Sequence, residues 1–197
     1  MAKLRLTLIL PLGGVVTLLV AGCMSPPQIA ALLAGPYPLQ VDYSASLADA
    51  LAGGHYAWTN SLVTPANFPA PQAGNSSLSG TLLRFSPQAS PDYIRSRAPA
   101  GSRPATLWEL LAFGKAYPEV QETIPVVGLG SHADLVVNTY EHFNVNGGLQ
   151  TMTKVIPKLE RLYPFLGGGL PGRVVGLEWL DDPAGYGMYY ALFVTPQ

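Results

Sequence analysis

Charge is scarce in this chain. Of its 197 residues, 12% are charged, with 11 Lys and Arg against 12 Asp and Glu, for a formal net charge of -1. Without a basic excess there is nothing to displace counterions, which excludes a nucleic-acid binder working by charge. Cysteine is nearly absent, with only one, so no disulfide can form within the chain. Metal-ligand spacing is absent too. His55, His132 and His142 form no His-x-x-x-His or His-Glu-x-x-His pattern, and the Asp181-Asp182 pair offers too few oxygens for calcium. No metal and no cofactor are therefore expected. What the chain does have is 48% hydrophobic residues, 21 Gly and 19 Pro. That is too apolar for intrinsic disorder and suits one compact domain rich in turns.

The N-terminus reads as an address. Lys3 and Arg5 give a positive start, and from Leu6 to Gly22 no residue is charged. This is the pattern of a secretory signal peptide. Pro11, Gly13 and Gly14 interrupt the apolar run, which is slightly short for a spanning helix. The run ends at Leu19-Val20-Ala21-Gly22-Cys23. That segment resembles the bacterial lipobox, in which an aliphatic residue and two small residues precede a lipid-modified cysteine. The resemblance implies cleavage after a 1–22 signal peptide and lipidation of Cys23, so that the membrane is a partner through that anchor. Several buried acyl chains at about 0.8 kcal/mol per methylene make such anchoring stable. In the Gram-negative sorting rule that accompanies such signals, Asp after the cysteine retains the protein at the inner membrane. Met24 in that place implies the outer membrane, facing the periplasm.

The rest divides into a tether or short helix over 23–40 and a single globular domain over 41–197. Ile29, Leu32 and Leu33 have helical spacing before Gly35-Pro36 stops them. Val41–Ser44 reads as extended, and Ser46 with Asp49 approximates a capping box for a helix closed by Gly53-Gly54. An aromatic-rich stretch, 55–60, and a loop over 64–80 lead to a strand at Thr81–Phe85. The firmest helix spans 104–114, where Thr106 and Glu109 form a capping box and Leu107, Leu110 and Leu111 share a face. Pro118 suits the start of a short helix through Glu122, and Ile124–Leu129 reads as a buried strand. Met152, Val155, Ile156, Leu159 and Leu162 predict a helix over 151–163 kinked at Pro157. Arg173–Leu180 and Met188–Val194 read as strands with both faces covered, joined as a C-terminal hairpin by a turn over 181–186. The mixture predicts an α+β fold, with short helices on a small, mainly antiparallel sheet.

Three segments, 41–61, 103–114 and 124–131, occur in this order in a group of uncharacterised bacterial proteins that the chain resembles. The similarity spans roughly positions 41–131 and implies no particular activity, cofactor or fold.

No coherent catalytic set emerges from the residues. Ser131, His132 and Asp134 supply a hydroxyl, a base and an orienting carboxylate, the makings of a hydrolase. However, Gly128-Leu129-Gly130-Ser131-His132 is not the Gly-x-Ser-x-Gly elbow, and near neighbours point their side chains apart. Gly128 and Gly130 with Ala133 make a fragment of a phosphate loop lacking an acidic partner. Tyr56, Trp58 and Arg103 are the candidates for a recognition surface, since such residues dominate binding hot spots. Lys154, Lys158 and Arg161 would line one side of the 151–163 helix, a solvated face or one resting on anionic lipid. The expectation is a lipid-anchored envelope protein with a binding or structural role, whose partner would be another envelope protein. A hydrolase using Ser131 and His132 is the alternative.

Overall fold

The computed structural model describes residues 35–85, 89–138, 150–162, 172–180 and 189–197. Cys23, His142, Asp181, Asp182, the signal segment and the glycine run 167–169 lie outside these residues. So does the turn expected over 181–186.

The chain is an α+β domain. Among the described residues nine strands form one sheet: β1 (Tyr37–Asp42), β2 (Trp58–Thr59), β3 (Asn75–Arg84), β4 (Arg103–Pro104), β5 (Val126–Val127), β6 (Ala133–Asn138), β7 (Gln150–Leu162), β8 (Gly172–Trp179) and β9 (Tyr190–Pro196). The order is β1-β3-β9-β5-β7-β8-β2, with β4 paired to β9 and β6 to β7. Among the described strands only β2 with β8 and β5 with β9 pair in parallel, so the sheet is mainly antiparallel as expected.

The described residues also form four helices: α1 (Leu47–Gly53), α2 (Pro91–Ser96), α3 (Leu107–Ala116) and α4 (Pro118–Thr123). Each begins where local chemistry dictates. The Ser46 hydroxyl accepts the Asp49 N–H at 3.1 Å to start α1. The Ser90 hydroxyl accepts from Tyr93 at 3.2 Å to start α2, with Pro91 in its first turn. The Thr106–Glu109 capping box starts α3, and Pro118 opens α4.

One sheet face carries the larger core. Leu107, Leu110, Leu111 and Phe113 of α3 pack with Leu39 and Val41 of β1 and Leu159 of β7. Each such burial contributes about 1.5–3 kcal/mol. Tyr37 meets Phe113 edge-on at 5.2 Å and Tyr117 at 4.9 Å. The opposite face carries a smaller core of Ile94 from α2 with Val127, Ile156 and Phe193. Ala191 to Val194 of β9 are therefore all buried, as the unalternating apolar run implied.

Several expectations are corrected. Residues 150–162 form a strand, β7, and not a kinked helix. Val155, Pro157 and Leu159 face one way and Ile156, Lys158 and Glu160 the other, a period of two that also satisfies helical spacing over this short window. Pro157 is tolerated because β6 pairs with β7 up to Val155 and β5 pairs only from Lys158, so the missing N–H costs no ladder bond. The last two strands are not a hairpin. β8 pairs with β7 and β2, whereas β9 lies between β3 and β5. β3 begins at Asn75, inside the stretch read as loop, because its Ser and Gly residues meet β1 and are buried only at alternate positions. The first strand begins at Tyr37, inside the stretch read as tether, and contributes Tyr37, Leu39 and Val41 to the core.

Candidate functional site

The N-terminal end of α3 holds a buried ionic cluster. Glu109 is 0% exposed. Its Oε2 accepts the Thr106 N–H at 2.5 Å, the Thr106 hydroxyl at 2.9 Å and Arg103 Nη1 at 3.0 Å. Its Oε1 accepts Arg103 Nη2 at 2.5 Å and the Tyr43 hydroxyl. A buried carboxylate costs several kcal/mol unless it is paired and hydrogen-bonded, and this one is both. Burial alone would push the Glu109 carboxyl up. The hydrogen bonds from Arg103, Tyr43 and Thr106 outweigh it and hold the group below its ordinary 4.5. Burial and the neighbouring Glu109 push the Tyr43 phenol up to about 12. Arg103 is thus a counter-ion for Glu109, with its outer side half-exposed.

A second polar cluster closes the other end of α3. Arg173 of β8 donates to Gly114 O at 2.7 Å and to Gly54 O at the C-cap of α1. One cation thereby serves carbonyls at two helix C-termini, where the backbone dipoles favour positive charge. The Arg173 guanidinium lies 5.4 Å over the Tyr56 ring. Burial raises the Tyr56 phenol, with the Arg173 charge opposing. Gln121 of α4 donates through Nε2 to Glu160 O of β7 and Val174 O of β8, both at 3.0 Å, and so ties the helix to two strands. A Cβ at residue 114 would lie 2.3 Å from Tyr56 Oη and 2.7 Å from Leu159 Cδ1, so any larger residue there would have to displace both side chains. That glycine lets Tyr56 dock on the helix, and α3 runs on to Ala116, past the end expected at 114.

Tyr56, Trp58 and Arg103 are therefore not assembled into one surface. Arg103 serves the first turn of α3, Tyr56 packs inward at its last turn, and Trp58 stands 50% exposed on the marginal strand β2.

Ser131, His132 and Asp134 follow β5 as a connecting turn that runs into β6. The Ser131 hydroxyl accepts the Leu107 N–H at 2.9 Å and so serves the start of α3. His132 and Asp134 are exposed, and no hydrogen bond links the three among the described residues. Gly128 N–H donates to Pro157 O at 3.0 Å and Gly130 N–H to Ala105 O at 2.9 Å. Those amides are committed to carbonyls and do not cradle a phosphate. A Cβ at residue 130 would lie 2.3 Å from Pro104 O, so the glycine there answers a close backbone approach.

Sequence reasoning missed the Arg173–Gln121 cluster and also another, on the second sheet face. Lys158 Nζ reaches Glu178 Oε2 at 2.9 Å and Glu160 Oε1 at 3.1 Å. The Tyr189 hydroxyl donates to Glu178 at 2.5 Å, and Lys158 lies 5.5 Å over the Tyr189 ring. Burial alone would lower the Lys158 ammonium, but the bond and charge of Glu178 dominate and raise it. Burial, then Glu178, pushes the Tyr189 phenol up to about 12. The cationic stripe expected on a helix is dispersed. Lys158 is held here, whereas Arg161 points to the other face, 3.7 Å from Glu122.

Among the described residues no three His, Cys, Asp or Glu gather as a metal site, and no helix is long and apolar enough to cross a membrane. Comparison with protein-family models, curated proteins and solved structures finds no match to the chain.

Proposed function

We propose that the chain is a lipid-anchored protein of the bacterial envelope, whose folded body has a binding or structural role. The observation that carries this reading is the Leu19–Cys23 segment, a lipobox-like sequence behind a positively charged start and an uncharged apolar run. The sole cysteine falls at the one place where lipidation requires it. About a dozen residues separate Cys23 from the start of the described body, a reach of roughly 40 Å when extended. Met24 favours the outer membrane in a Gram-negative cell, and another envelope protein is the partner class this location offers.

The polar clusters agree with a structural role for the charged side chains. Glu109, Arg173 and Lys158 each spend their charge on partners within the fold. Replacement of Cys23 with Ser tests the proposal. The wild-type protein is expected to take up a clickable palmitate label and to float with vesicles, whereas Cys23→Ser takes up none and accumulates at precursor mass. Equal labelling of the two proteins overturns it.

A further inference from the structure

The edges of the sheet are not equally guarded. β2 and β4 are two residues long, and β1 carries Pro38, whose carbonyl accepts the Tyr117 hydroxyl at 2.9 Å. Short strands and proline both keep an edge from recruiting another chain. β6 has neither protection. It runs for six residues, Ala133–Asn138, with no proline and no lysine, and Asp134 is its sole charge. Ala133 and Leu135 are buried in the larger core, so the strand is held to the body.

The pairing of β7 decides which backbone groups β6 turns outward. Leu180, just past β8, donates its N–H to Lys154 O at 2.8 Å. The backbone polar groups of Lys154 therefore face β8, and by alternation those of Thr153 and Val155 face β6. Asp134 is in register with Lys154, Val136 with Met152 and Asn138 with Gln150. These are the non-hydrogen-bonded pairs, so the N–H and C=O of Asp134, Val136 and Asn138 point away from β7. They line an edge of about 14 Å. Among the described residues no strand pairs with that side of β6.

We infer that this edge of β6 pairs antiparallel with the same edge of a second copy, about a two-fold axis at Val136. In that register the strand is its own complement. Val136 meets Val136, and Asp134 meets Asn138 of the other copy, so every outward N–H and C=O is bonded. The one charge of each strand then lies opposite an asparagine. An axis at Asp134 would set two carboxylates against each other, which is unfavourable, and would carry Asn138 past the end of the opposite strand. Antiparallel pairing also sends the two bodies to opposite ends of the shared ribbon.

Register-specific cross-linking tests this in the full chain carrying Cys23→Ser, purified in detergent, so that each introduced thiol is the sole one. Hydrogen-bonded partners have Cα atoms about 5.5 Å apart, within disulfide reach, whereas residues 134 and 138 would each lie about 14 Å from their own copies. Val136→Cys is expected to oxidise to a disulfide-linked dimer, and Asp134→Cys and Asn138→Cys to stay monomeric. Sedimentation of the purified wild-type protein should show a dimer that grows with concentration. Asn138→Asp, which opposes carboxylates at both ends of the ribbon, should weaken that dimer about five- to tenfold, and Asp134→Lys added to it should restore the affinity. Equal cross-linking at all three positions, or a dimer indifferent to Asn138→Asp, overturns the inference. So does a chain that stays monomeric at every concentration, including one whose Val136→Cys thiol joins a different envelope protein instead of its own copy.

Discussion

Glu109 has no exposed surface and keeps its charge because Arg103, Tyr43 and Thr106 surround it with donors. Removing Arg103 leaves an uncompensated buried carboxylate, so Arg103→Met is expected to cost about 3–5 kcal/mol in urea unfolding. Adding Glu109→Gln should recover much of that loss, because the buried charge goes with it. A double mutant as unstable as Arg103→Met alone contradicts this account. The pH dependence follows from the direction of the shift. The folded Glu109 carboxyl lies below its ordinary 4.5, so its contribution is present above that value and fades as pH falls through the depressed folded value. Between about pH 5 and pH 3, Glu109→Gln should lose less stability than the wild type. The capping role of Glu109 is legible from Thr106-Leu107-Trp108-Glu109, because a capping box is a local pattern. Its burial is not, since Tyr43 lies 66 positions away and only the fold brings it there.

Among the elements, α3 shows the limit of local reasoning most plainly. Glycine inside an exposed helix costs about 1 kcal/mol relative to alanine, so Gly114→Ala looks stabilising on propensity. In this structure the added methyl would lie 2.3 Å from Tyr56 Oη and 2.7 Å from Leu159 Cδ1. Overpacking of that kind costs about 1–3 kcal/mol, which outweighs the propensity gain. Gly114→Ala is expected to lower the thermal midpoint, and Tyr56→Phe, by removing the oxygen, should soften the penalty. A raised midpoint for Gly114→Ala would refute the packing argument. The capped helices and the buried strand β9 are legible because start signals and apolar runs are local. β7 is not, because Val155, Ile156 and Leu159 satisfy periods of 3.6 and two alike, and Pro157 reads as a helix kink. What decides its conformation is the long-range pairing with β8 and β6. The pairing of β9 with β3, about a hundred positions earlier, is equally invisible when adjacent apolar strands suggest a hairpin.

For the whole molecule, the position of β1 decides where the folding unit begins. A sequence boundary at residue 41 falls inside that strand, because Pro36 and Pro38 beside Gly35 look like a linker and hide its alternation. In the fold, Tyr37, Leu39 and Val41 alternate inward with Pro38, Gln40 and Asp42 outward, and β1 pairs along its whole length with β3. The prolines also protect this marginal strand. Pro38 has no N–H to offer an incoming chain, and its carbonyl is taken by the Tyr117 hydroxyl at 2.9 Å. A chain starting at residue 35 keeps all of this, whereas one starting at residue 43 loses three core side chains and exposes the edge of β3. Each lost side chain is worth about 1.5–3 kcal/mol, together comparable with the whole stability of a typical domain. The chain from residue 35 is therefore expected to unfold in urea with the midpoint of the protein from residue 24, and the chain from residue 43 to aggregate or remain unfolded. Equal midpoints for all three would show that β1 is dispensable to the core, and the contacts of Tyr37 with Phe113 and Tyr117 would then contribute little to the fold.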